Sequence, residues 1–81
     1  MNLQAPPAPE ETDTTPEERF FVEALARGLA VIRSFDQHHE RLTISEVARR
    51  TELNRATARR FLLTLQALGY VASDGKFFWL T

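Results

Sequence analysis

Cysteine is absent from this chain of 81 residues, which excludes disulfide staples and thiolate metal sites. No apolar run approaches the ~18 residues of a membrane-spanning helix. The N-terminus lacks the basic-then-apolar order of a secretory leader. The two histidines, His38 and His39, are adjacent. Adjacent side chains rarely chelate one ion, so a solvated loop is the expected setting and no metal site is assigned. A nucleophile elbow, a glycine-rich phosphate loop and carboxylates spaced for acid–base work are all missing. No enzymatic activity and no cofactor are therefore expected, and a cytoplasmic protein of one small domain is.

Proline is confined to the first sixteen residues, and large apolar side chains are scarce in "MNLQAPPAPEETDTTPEE". Such a segment cannot bury enough surface to offset the entropy of ordering it. Residues 1–15 are expected to be a disordered, acidic, Pro-rich tail, with the folded domain at 16–81. The near-neutral total charge hides a segregation. Residues 1–19 carry Glu10, Glu11, Asp13, Glu17 and Glu18 against Arg19, and residues 20–81 carry nine basic against six acidic side chains. Arg49, Arg50, Arg55, Arg59 and Arg60 crowd one stretch whose single acid is Glu52. This asymmetry points to a polyanionic partner more than the overall balance does.

Periodicity supplies the elements. Thr15 as N-cap with Pro16 behind it resembles a helix start, and a first helix is expected over 16–35. Val22, Leu25, Leu29, Ile32 and Phe35 recur at helical spacing and are expected to face the core. "DQHHER" is a polar connection. Thr43 and Glu46 have capping-box spacing at the front of "LTISEVARRT", which predicts a short second helix. Asn54 is a good N-cap for a third helix from Arg55 to about Leu68, closed by Gly69. Two apolar strand runs around Asp74-Gly75 read as a hairpin, and "RLT" offers a third strand. The order is helix, short helix, tight turn, helix, hairpin. The fold class is mostly α with a small β wing: a winged helix-turn-helix of three helices plus a β-hairpin.

In "LARGLAVIRSFD", "LTISEVARRT", "NRATARRFLLTLQALGYV" and "DGKFFWLT", taken in this order and spacing, residues 20–81 resemble the N-terminal DNA-binding domain of IclR-family bacterial transcription regulators. The PcaR/PcaU/PobR-like branch, which controls aromatic-acid catabolism, is the nearest in pattern. The resemblance implies sequence-specific binding of double-stranded DNA at a pseudopalindromic operator by a homodimer, in the bacterial cytoplasm at the nucleoid. It also implies a small aromatic-acid effector bound by a C-terminal domain that this chain lacks, so an excised DNA-binding module is expected. Two departures stand out. Glu52 occupies a turn position where the family commonly has glycine, and Trp79 stands where the wing usually carries a basic or polar residue.

On the third helix, Ala58, Phe61, Leu62, Leu65 and Leu68 form one stripe, which pushes Arg55, Ala56, Arg59 and Arg60 to the other side with Thr57 at the edge. No acid sits at i±4 to pair with these arginines. Arg guanidinium can read guanine bidentately or clamp phosphate, and small side chains allow close approach to base edges. Arg55, Ala56 and Arg59 are expected nearest bases, and Thr57 and Arg60 on phosphate. Thr43, Ser45, Arg49, Asn54 and the wing residue Lys76 complete the expected DNA-binding set. A second apolar line on the first helix, Phe21, Ala24, Gly28 and Val31, is expected to form a two-fold dimer contact, because small monomers avoid connected exposed apolar patches. The competing reading is a winged helix used as a protein-interaction or dimerisation module without DNA binding. Such a surface would more often present aromatics than unpaired arginines.

Overall fold

The structure, a computed structural model, describes residues 19–81. The tail expected at 1–15 and the helix start at Thr15–Pro16 lie outside the described residues. The elements run α1 (Glu23–Arg33), β1 (Leu42–Thr43), α2 (Ile44–Thr51), α3 (Arg55–Ala67), β2 (Val71–Ser73) and β3 (Phe77–Leu80). The strands form one antiparallel sheet in the order β1-β3-β2, with Leu42 opposite Phe78 and Val71 opposite Leu80. This is a winged helix-turn-helix, with "RLT" supplying the third strand.

Local chemistry sets the boundaries. Thr43 accepts the Glu46 N–H through Oγ1 at 3.2 Å, and the Glu46 carboxylate accepts the Thr43 N–H at 2.8 Å, closing the capping box. Those bonds favour the charged carboxylate and hold Glu46 below its ordinary pKa. Asn54 Oδ1 accepts the Thr57 N–H at 2.8 Å and starts α3. At its end Gly69 takes φ 90, and the Tyr70 N–H returns to the Leu65 carbonyl at 2.9 Å. In the hairpin, Asp74 Oδ1 accepts the N–H groups of Phe77 and Lys76 at 2.8 and 3.0 Å, which lowers the Asp74 pKa.

The start and the core face of α1 differ from expectation. Val22 is extended, with φ −100 and ψ 105, so α1 begins at Glu23 and does not run unbroken from Pro16. It ends at Arg33, where the Ser34 hydroxyl donates to the Val31 carbonyl at 2.6 Å. Leu25 and Leu29, expected inside, are 61% and 48% exposed, and Val22 is exposed with them. Val31 is fully buried, with Phe35 beside it in the core. Val31 therefore cannot serve as the dimer contact assigned to it. Gly28 faces α3 instead: a Cβ built there would meet the Phe61 ring at 3.8 Å. Phe21 and Ala24 remain exposed. The helix offers two apolar lines, and its neighbour α3 selects the one whose small residue admits Phe61. The rest of the core is Leu42, Val47, Ala48, Ala58, Leu62, Leu65, Val71 and Phe78. Leu68, the last residue of the stripe expected on the third helix, is exposed just past the end of α3, and Leu80 is exposed at the end of β3.

Glu52 adopts φ 62 and ψ 27, and it is the non-glycine residue with positive φ among the described residues. A side chain in this region costs ~1–2 kcal/mol, and the short α2–α3 connection imposes it. Two substitutions should therefore stabilise the fold. Glu52→Gly relieves the left-handed strain, partly offset by a freer unfolded chain, for a net gain of up to ~1 kcal/mol. Gly28→Ala adds a Cβ in ordinary contact with Phe61 and removes a mid-helix glycine, a gain of up to ~1 kcal/mol. Calorimetry should show a higher Tm for each. A lower Tm for Gly28→Ala would show that Phe61 cannot accommodate even a methyl group.

Candidate nucleic-acid interface

The surface is built by α2, the turn and α3. Burial of Ala58, Leu62 and Leu65 turns the opposite side of α3 to solvent. An α-helix advances about 3.6 residues per turn, so Ala56, Arg59, Arg60 and Leu63 fall on one outward ridge. All four are exposed. Leu63 was not among the expected site residues. The signal for it was present, because it lies one turn beyond Arg59 and Arg60 and off the buried stripe.

The two flanks of this ridge differ. On the α2 side, Arg55 Nε donates to Ser45 Oγ at 3.0 Å across the two helices. On the α1 side, a groove is lined by Glu23, Arg27, Thr57, Arg60 and Thr64. Thr57 is half-buried there and its N–H is used by the Asn54 cap. Arg49, Arg55, Arg59 and Arg60 have no carboxylate oxygen within salt-bridge distance among the described residues, where the ion pairs instead use Arg27, Arg41, Arg50 and His39. Thr43 is committed to its cap, and Ser45 is the exposed hydroxyl of the first turn of α2.

Arg49 and Arg50 have separate fates. Arg50 Nε donates to the Ser34 carbonyl at 2.9 Å, and its Nη2 lies 3.3 Å from Asp36 Oδ2. It ties α2 to the C-terminus of α1. Asp36 also pairs with His39 Nδ1 at 2.9 Å, and that bond is the largest influence holding its carboxyl below the ordinary range. Arg49 points to solvent. In the wing, the Arg41 guanidinium stacks over the Trp79 ring at 4.0 Å and lies 3.9 Å from Asp74. The basic group missing from β3 is thus present from the residue preceding β1. Arg41 was not among the expected site residues, because its pairing with Trp79 exists only once the sheet has formed. Lys76 projects from the turn over Phe77, 5.3 Å from the ring centre. Among the described residues no three His, Asp or Glu side chains are placed to hold a metal, and no helix is long and apolar enough to cross a membrane.

A helix-turn-helix with a basic, acid-free outward ridge and a flanking wing defines a DNA-binding module. Residues 24–75 match the model of the IclR helix-turn-helix domain, and the chain belongs to that family. It is 52% identical over 56 residues to the Pca regulon regulatory protein of Pseudomonas putida, an alignment covering 69% of this chain and 19% of that protein. It is 44% identical over 61 residues to the p-hydroxybenzoate hydroxylase transcriptional activator of Acinetobacter baylyi, covering 75% of this chain and 22% of that protein. A solved chain from Rhodococcus sp. RHA1 superposes with a TM-score of 0.74 at 69% identity, covering 75% of this chain and 24% of that one. The chain thus spans about a fifth of the length of the curated relatives it matches.

The neighbouring arginines should separate in thermal melts. Arg50→Ala leaves the buried Ser34 carbonyl without its donor and should cost ~1–3 kcal/mol. Arg49→Ala, at a solvent-facing position, should change stability by less than ~0.5 kcal/mol. Equal losses would mean that Arg49 also supports the fold.

Proposed function

We propose that this chain binds double-stranded DNA with α3 in the major groove, as the DNA-binding part of a transcriptional regulator of aromatic-compound catabolism genes. The observation that carries the reading is the outward ridge of α3. Arg59 and Arg60 stand there without acidic partners among the described residues, next to the small Ala56 and clear of the buried stripe. A solvated structural face would be expected to intersperse acids one turn away, and the first turn of α3 contains none. Arg59 and Ala56 lie nearest the bases, with Leu63 one turn on to meet a thymine methyl. Arg60 and Thr57, on the α1 flank, meet phosphate, as do Arg49 and the wing cation Lys76. The target genes are inferred from the relatives, one of which is named as the p-hydroxybenzoate hydroxylase transcriptional activator. The aromatic acid that such a regulator senses would bind in a separate domain of a full-length protein. The role is not catalytic, and it is exercised at the nucleoid in the bacterial cytoplasm.

Two copies on a pseudopalindromic site complete the reading. The contact uses the apolar line that α1 leaves outside, namely Val22, Leu25 and Leu29 with Phe21. This replaces the line through Gly28 and Val31, which the core consumes. Several large exposed apolar side chains on one helix and its lead-in are unusual on a monomer.

Two experiments test these readings. Arg59→Ala should weaken binding to a selected duplex by ~1–3 kcal/mol and relax preference at one position per half-site. Arg60→Ala should weaken matched and mismatched duplexes alike. Uniform loss from both in anisotropy titrations would remove the division between base and phosphate, and no binding by the unaltered chain at low salt would favour the protein-interaction reading. Separately, Leu25→Glu with Leu29→Glu should give a folded monomer in sedimentation runs at concentrations where the parent self-associates. Monomeric behaviour of both, up to high concentration, would discard this face as a self-standing dimer contact.

A further inference from the structure

The hydrogen bond from Arg55 Nε to Ser45 Oγ links the two helices of the helix-turn-helix at its exposed side. From it we infer that Ser45 is a positioning residue that aims Arg55 at a DNA backbone phosphate, so that Arg55 anchors the module and does not read a base. The inference rests on the DNA-binding reading above and deepens it.

Three observations converge. First, Arg55 is the first residue of α3, where the positive end of the helix dipole disfavours a cation. It therefore does not serve the stability of α3, and no carboxylate among the described residues lies within salt-bridge distance of it. Second, the tether directs its side chain towards α2. In a helix-turn-helix the second helix enters the groove and the first crosses the sugar-phosphate backbone, so a side chain pulled towards the first helix is drawn from the base edges to the strand. Third, the bond occupies Nε. The edge of the guanidinium that combines Nε with a terminal nitrogen is no longer free for a bidentate base contact, while the outer Nη groups remain available to phosphate oxygens. Ser45 Oγ accepts from Arg55 Nε and so acts on the anion through Arg55. An exposed arginine normally loses much rotamer freedom on binding, and one held in advance loses less.

The test is a double-substitution cycle on the full chain, read by anisotropy with a mixed-sequence duplex of about 30 base pairs over a range of salt. Arg55→Ala should weaken binding about tenfold and reduce the salt slope by about one. Ser45→Ala should weaken it about threefold with unchanged Tm. Ser45→Ala added to Arg55→Ala should cost nothing more, and Ser45→Thr, which keeps the hydroxyl, should restore the parent affinity. The inference is overturned if the two single losses multiply, if Ser45→Thr binds no better than Ser45→Ala, or if Arg55→Ala leaves the salt slope intact and alters preference at one base pair. Should Arg59→Ala and Arg60→Ala weaken binding while Ser45→Ala and Arg55→Ala do not, this inference alone fails. If the unaltered chain binds no duplex, the DNA-binding reading fails with it.

Discussion

Ala58 and Leu62 on α3 are fully buried, and with Leu65 they meet Val31 of α1 and Val47 of α2 in a core of ten buried apolar side chains. In a domain of this size that burial is the main favourable term available. It also fixes the rotation of α3 about its own axis. Turning the helix so that Arg59 or Arg60 faced inward would place an unpaired guanidinium in the core, at a cost well beyond what the remaining contacts supply. The outward ridge is thus a consequence of packing, and the surface chemistry follows from the core.

Around this core the joints are polar and local. The capping box at Thr43, the Asn54 cap and the Asp74 turn each satisfy backbone N–H groups that the elements leave open. Arg50 does the same for a carbonyl at the end of α1, across sixteen residues of sequence. Glu52 is a joint held against its conformational preference. The close succession of α2 and α3, which sets the helix-turn-helix angle, requires a left-handed residue there whatever its side chain. The turn thereby stores strain beside the arginine-bearing face of α3.

Much of this architecture was legible in the residues. Thr43 with Glu46, Asn54, Gly69 and Asp74-Gly75 mark element ends through bonds that span a few positions, and such bonds form in nearly any tertiary setting. The arginine face of α3 was legible for a similar reason, since its buried stripe and its charges are out of phase on a single helix. The core face of α1 was not. Its lines Val22–Leu25–Leu29–Ile32–Phe35 and Phe21–Ala24–Gly28–Val31 are both apolar and both at helical spacing, so amphipathicity has no unique solution, and the core takes Ile32 and Phe35 from the first and Val31 from the second. The ring of Phe61 decides between them by filling the space beside Gly28.

The same division holds for the site. By its own periodicity and capping residues, the chain determined that a winged helix-turn-helix would form and that α3 would turn its arginines outward. Only the tertiary structure decided how each arginine is held. Arg50 is drawn to Ser34 and Asp36, Arg55 to Ser45, and Arg41 to Trp79. Each pairing joins groups far enough apart in sequence that no helical or strand period connects them. Their meeting depends on the angle between α2 and α3 and on closure of the sheet, and both are set by how the apolar side chains pack together.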